Sequence, residues 1–449
     1  MTARLRLPEL GSPAALLALA ALLGLVAALR PALAVAAAIV ILLAVVVVAD
    51  LTAGLVVFVL ISFVDVLPGN PAFSFAKVVG LLLGLSWIAT MSSGTGSRRN
   101  FFAAHPVGLY LLVLFLTWTT ISAMWAHDQN AAITAASRYG LNFILFPIVY
   151  TAVGERRHLR WVLCAFVVGA LLSAAYGLAF PQYTEEGRLT GAIGEANELA
   201  SVLLAGLAVA VGLAISAGRG SRLRGPALLA AAICAVGVLA SMSRAALVAF
   251  LVVAITAVFV AGRWRKRAAI AALLVALSGV VYFAAFTTQE ARERVTRFEG
   301  GTGRIDLWTI GWRMVEERPL VGVGAGNFET DSPRYLVRPG AIVRDDFVLD
   351  TPKQTHNIYL QVLSELGVVG LALFLAVIAF SLSCAVRAAR TARANGDRLL
   401  EPLAWGVLLA AVGLLATDFF QSEQFSKQLW LLLALGPAML ALARRDVAR

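Results

Sequence analysis

Charge is scarce in this chain. Of its 449 residues only 14% are Asp, Glu, Lys or Arg, where a soluble domain carries about 25%. Hydrophobic residues make up 60%, and the mean hydropathy is +0.84. That excludes an ordinary water-soluble fold. Apolar runs of about 20 residues recur along the chain, and they are continuous rather than alternating. This excludes a β-barrel and leaves a bundle of membrane-spanning helices. Cysteine is equally sparse. Cys164, Cys234 and Cys384 lie in or at the edge of apolar runs, with no metal-ligand spacing. Neither disulfides nor a metal site is expected. Acidic residues are outnumbered, 26 against 37 basic ones, giving a net charge of +11. Basic patches flanked by aromatics are absent, so no nucleic-acid partner is expected. The first apolar run lacks a small-x-small exit and leads straight into a second, so no cleavable signal peptide is expected.

What is present is a series of about fourteen apolar spans, near 13–29, 32–49, 51–66, 77–94, 107–124, 140–153, 161–180, 199–217, 226–241, 245–261, 268–286, 357–383, 403–419 and 428–442. With crowding at the N-terminus the range is 12 to 14. The basic clusters test this reading. Arg98 and Arg99, Arg156 to Arg160, Arg219 to Arg224, Arg263 to Arg267, Arg387 to Arg398, and Arg444 to Arg449 all fall on one face, together with the N-terminus. The positive-inside rule makes that face cytoplasmic. The opposite face receives the loops at 125–139 and 181–198, the Ser241–Arg244 turn, a long hydrophilic loop at 287–356, and the Gln421–Lys427 loop. The chain divides into N-terminal helices (1–180), central helices with outer loops (181–286), the large outer loop (287–356), and C-terminal helices with a cytoplasmic tail (357–449).

Polar chemistry therefore concentrates on the outer face. His356, one of four histidines, stands where the long loop meets the next span. A group that exchanges a proton near pH 7 at a water–lipid boundary suits chemistry on a membrane-bound substrate. Thr351-Pro352-Lys353-Gln354 reads as a helix start, with Thr as cap and Pro at the first position, which places His356 in the second turn. His105 and His158 sit beside arginines on the basic face, where solvation is expected. His127 lies in the 125–139 loop without an evident partner.

Arg244 stands at the outer mouth of a span in a very short turn, where an arginine is costly and usually partnered. The stretch Gly303-Arg304-Ile305-Asp306-Leu307-Trp308 to Val315 reads as an amphipathic interfacial helix. The run Gly322-Val323-Gly324-Ala325-Gly326-Asn327 follows it. This run lacks the βαβ context of a nucleotide loop, but its N–H groups can receive an anion. The loop from Gly187 to Ala200 adds Arg188 and Asn197; Asn197 also suits a helix cap.

The Gly187–Ala200 stretch, Ser243-Arg244-Ala245-Ala246, Gly303-Arg304 with Trp308, Pro319–Phe328, and His356-Asn357 with Tyr359-Leu360-Gln361 and Glu365-Leu366-Gly367 together resemble the O-antigen ligase and polymerase superfamily of bacterial membrane proteins. The resemblance covers residues 185 to 370, and one departure is Ala196 before Asn197, where relatives often have a proline. It implies an all-α, polytopic bundle of the C-type glycosyltransferase kind, with a large extracytoplasmic loop and no cofactor. It also implies transfer of a glycan from an undecaprenyl-diphosphate carrier to a hydroxyl of a glycan or lipid-glycan acceptor. By similarity Arg244 and Arg304 hold the diphosphate and His356 is the general base. Arg188, Asn197, Gly324, Asn327 and Asn357 are the expected substrate-binding residues. Ligase and repeat-unit polymerase both fit. A transporter or flippase would place charge near span midplanes and show internal repeats; the spans are nearly free of such charge.

Overall fold

The computed structural model describes residues 43–63, 75–92, 99–180, 189–260, 303–336 and 353–445, with a few isolated positions besides. Every regular element among them is helical. Before the long loop come α1 (Leu51–Ile61), α2 (Phe75–Ser92), α3 (Pro106–Ile121), α4 (Gln129–Phe143), α5 (Leu145–Ala152), α6 (Arg156–Ala179), α7 (Ala196–Ser216), α8 (Arg224–Ala240) and α9 (Arg244–Val260). The loop contributes α10 (Arg304–Glu317) and α11 (Phe328–Leu336), and α12 (Ile358–Ala394), α13 (Leu400–Thr417) and α14 (Lys427–Arg445) close the chain.

Among the described residues six helices are long and apolar enough to cross a membrane, and four shorter apolar helices accompany them. The chain is an all-α, multi-pass membrane protein. Expected spans at 13–29 and 268–286 lie wholly or largely outside the described residues, as does most of 32–49. The expected 125–139 loop needs correction. Asp128 caps α4 by accepting from Asn130 N and Ala131 N, so helix begins at Gln129 and runs almost unbroken to Ala152. Its first half is polar and reads as loop from composition; in the helix the Arg138 guanidinium stacks 3.8 Å from the Phe425 ring.

Small residues let the helices approach. A Cβ on Gly212 of α7 would lie 2.9 Å from Pro402 O and 3.3 Å from Gly406 Cα of α13. With lipid around them, helices gain little from apolar burial and associate through such close contact. Phe115, Tyr139, Phe143, Phe374 and Trp430 pack ring on ring in the middle of the bundle.

Long α12 is broken at Gly367, where φ is 68° and ψ −172°. The break frees backbone groups that lipid would leave unsatisfied, at a cost of several kcal/mol each. Protein groups meet four of them. Val323 N donates to Ser364 O at 3.0 Å, Gly324 N to Glu365 O at 2.8 Å, and Val368 N to Pro319 O at 2.8 Å. Trp118 Nε1 donates to Leu366 O at 3.0 Å. The glycine run thus seats against the kink, and a Cβ on Gly367 would lie 2.2 Å from Leu320 O.

Polar contacts sort to the two ends of the bundle. At one end Arg156 holds Asp397 at 2.6 Å, Arg445 donates to Gly154 O at 3.3 Å, and Arg99 reaches Val153 O and Ala438 O. Four of the six expected basic clusters therefore meet at one end of the bundle. His105 is there but is not solvated: it is 8% exposed and packs among Phe101, Tyr150 and Phe380.

Candidate functional site

The other end carries the candidate residues. His356 precedes α12 rather than sitting in its second turn, which corrects the expected helix start. Lys353 and Gln354 are not helical; Thr351 and Pro352 lie outside the described residues. The cap is Asn357, whose side chain accepts from Tyr359 N at 3.0 Å and Leu360 N at 3.1 Å. An asparagine at the boundary competes successfully with a more distant Thr-Pro signal. His356 adopts φ 51°, one of two non-glycine residues in the left-handed region among the described residues. The other is Met242, two residues before Arg244. Such backbone strain tends to gather at functional sites.

The His356 imidazole is half-buried. Burial, then the positive charges of Arg304 and Lys353, push its pKa down to about 4. Arg304 is therefore within electrostatic reach of His356. It is the first residue of α10, after Gly303 at φ 72°. The register of α10 is fixed by Trp308, whose Nε1 donates to Thr355 O at 2.9 Å. Its apolar face does not simply face lipid as expected. Leu307, Ile310 and Met314 pack into a small core with Val323, Phe328 and Tyr335, while Trp312 turns outward. The i, i+3, i+7 spacing of the buried three is the helical period selecting that face.

Arg244 is the exposed first residue of α9. Buried Ser243 caps that helix by accepting from Ala246 N at 3.3 Å, and its hydroxyl donates to Asn197 Oδ1 at 2.8 Å. Asn197 O in turn accepts from Gln421 Nε2 at 3.1 Å. The next residue, Ser422, meets the Thr355 hydroxyl at 3.3 Å. A line of contacts therefore runs from the Arg244 turn through Asn197 and the 421–426 loop to the residue before His356.

Other expected binding groups are committed within the protein. Asn327 is fully buried; its Oδ1 accepts Asp128 N at 2.7 Å and its Nδ2 donates to Asp128 O and Ala325 O. The Gly324, Gly326 and Ala325 N–H groups go to Glu365 O, Glu365 Oε2 and Ser122 Oγ. The glycine run is a backbone clamp, not an anion cradle. Asn357 is a cap, and Arg188 lies outside the described residues. His127 has a partner after all: Nδ1 lies 3.1 Å from Asp331 Oδ1 of α11.

Sequence reading missed the weight of the 421–426 loop. Glu423 there is partly buried, and burial with the charge of Glu195 pushes its pKa up to about 7, against Arg138 pulling it down. Its only linear signal was a carboxylate in a short outer loop; the partners come from α4 and the start of α7.

The fold and this polar end define a polytopic helical membrane protein with a histidine and two arginines on elements that meet at one end of the bundle. A family model described as O-antigen ligase matches residues 229–375, which span Arg244, Arg304 and His356. That family supports a membrane glycosyltransferase-like function. No curated protein matches the chain.

Proposed function

We propose that this protein transfers a glycan from a polyprenyl-diphosphate carrier to an acceptor hydroxyl, at the non-cytoplasmic face of the cytoplasmic membrane. The observation that carries the reading is that the elements bearing Arg244, Arg304 and His356 are joined at the polar end, through Ser243, Asn197, Gln421 and Ser422 on one side and Trp308 on the other. The opposite end holds the basic loops, which the positive-inside rule assigns to the cytoplasm.

The roles follow from charge. As the anomeric C–O bond breaks, the diphosphate leaves with the bonding electrons. Arg244 and Arg304 receive that charge, because guanidinium is always protonated and offers a planar fork to phosphate oxygens. In a partly dehydrated site this stabilisation exceeds its value in water. His356 takes the proton of the attacking hydroxyl. Its depressed pKa keeps the ring neutral at pH 7, and the bound diphosphate offsets Arg304, strengthening the base only when donor is present. General-base help of this kind contributes about 10²–10⁴-fold. Attack opposite the leaving group inverts the anomeric centre.

The test uses Arg244→Ala, Arg304→Ala and His356→Ala at matched membrane levels, with undecaprenyl-diphosphate-linked oligosaccharide and acceptor from the native cells. Each variant is expected to lose transfer. Full transfer by the histidine variant removes the base, and full transfer by both arginine variants removes the clamp.

A further inference from the structure

Thr355, immediately before His356, is fully buried, and each of its polar groups is engaged. Its C=O accepts Trp308 Nε1–H at 2.9 Å. Its hydroxyl lies 2.8 Å from Asn357 O and 3.3 Å from Ser422 Oγ. Its N–H donates to Gln361 Oε1 at 2.9 Å. From there a chain of bonds leads inward. Gln361 Nε2 donates to Glu365 Oε1 at 2.6 Å, and Glu365 Oε2 accepts Gly326 N–H at 2.8 Å. Gln361 and Glu365 are 2% and 5% exposed.

This chain has a forced direction. Both termini, Thr355 N–H and Gly326 N–H, are fixed donors. An acceptor must face each of them, and one donor must join the two side chains between. The amide of Gln361 turns its oxygen to Thr355 and its NH₂ to Glu365. The carboxyl of Glu365 then accepts at both oxygens. Two adjacent amides cannot satisfy all the groups, because whichever way they turn, two donors or two acceptors meet. Every side-chain nitrogen and oxygen of the two residues is already engaged within the protein.

We propose that Gln361 and Glu365 are positioning residues for His356, holding the Thr355 peptide so that the next residue keeps the left-handed backbone conformation that aims its imidazole. The proposal rests on His356 being the general base. It also gives the glycine run its purpose: Gly326 anchors the far end of the chain, so the outer-loop arm that carries Arg304 and the turn that carries His356 become one rigid block. Preorganised geometry of this kind governs the chemical step more than binding.

The polarity of the chain supplies the test. Glu365→Gln alone places two amides in series and leaves a buried mismatch. Gln361→Glu combined with Glu365→Gln reverses the order: the new carboxylate accepts from Thr355 N–H and from the new amide, whose oxygen accepts Gly326 N–H. Transfer is measured in membranes at matched protein levels, with undecaprenyl-diphosphate-linked oligosaccharide and acceptor from the native cells. Glu365→Gln and Gln361→Met are expected to lower kcat by about 10- to 100-fold, leaving donor KM within about twofold. The reversed pair is expected to recover most of that loss. Hydrogen exchange at the Thr355 amide is expected to speed up in the single variants and slow again in the reversed pair. Unchanged kcat in the single variants, or no recovery in the reversed pair, overturns the proposal. So does a reversed pair that fails to accumulate in the membrane. His356→Ala serves as control: if it transfers normally the base reading fails, whereas a dead control beside active single variants removes the positioning role alone.

Discussion

Ser243 and Asn197, 46 residues apart in sequence, share a hydrogen bond of 2.8 Å from the serine hydroxyl to the asparagine oxygen. This bond ties the turn before Arg244 to the start of α7, whose backbone is held in turn by Gln421. Ser243→Ala loses both this bond and the α9 cap. It is expected to cost about 1 kcal/mol of stability and to reduce transfer more than it reduces thermal stability. Asn197→Asp, which keeps the acceptor oxygen, is expected to retain most activity. Thermal unfolding in detergent and a transfer assay on the same preparations check both.

The proximity of Arg304 to His356 makes a pH prediction. The guanidinium disfavours the imidazolium, so removing it raises the imidazole pKa from about 4 towards the ordinary value near 6.5, though burial keeps it below that. A base is lost on acidification through its pKa. Arg304→Gln is therefore expected to move the acid limb of the pH–kcat/KM profile to higher pH, in addition to lowering the plateau. An unmoved acid limb would separate the two residues.

Glu423 predicts an opposite kind of pH dependence, in stability. Its pKa is raised from the ordinary value of 4.5 to about 7, chiefly by burial. The folded state thus favours the protonated form. That contribution is fully present below about pH 4.5 and is lost as pH rises through about 7. Glu423→Gln is expected to flatten the fall in melting temperature between pH 5 and 8, and Glu195→Gln to shift the fall to lower pH. Melting curves of the three proteins across that range decide it.

The kink at Gly367 predicts a folding defect. A side chain there meets Leu320 carbonyl at 2.2 Å and requires φ near 68°. Gly367→Ala is expected to cost at least about 1–3 kcal/mol from the backbone conformation alone, and to lower the level of folded protein in the membrane. Fluorescence-detected size-exclusion profiles report the outcome.

Orientation is open to direct measurement. A single cysteine replacing Gly396, at the basic end, is expected to react with an impermeant maleimide only after the membrane is breached. One replacing exposed Phe419, at the polar end, is expected to react in intact spheroplasts. The native Cys164, Cys234 and Cys384 are changed to alanine first. The reverse pattern would place the site inside the cell.

Much of the architecture was legible in the chain itself. Apolar runs of membrane length force helices, because lipid offers backbone groups no partner. The spacing of basic clusters sorted loops to two ends, and the Arg156–Asp397 and Arg445–Gly154 contacts bring three of those clusters together. Local signals also placed α10, since its glycine start and helical period are written in consecutive residues. What the chain could not show were contacts between residues far apart. Asn327 looked like a ligand group and is a backbone staple; His127 looked unpartnered and meets Asp331; Glu423, in the Gln421–Lys427 loop, is partly buried and feels the charge of Glu195. Side-chain type sets what a group can do, and that is local. Whether its donors and acceptors are already spent depends on which loops the packed bundle brings to one end, and only the tertiary structure decides that.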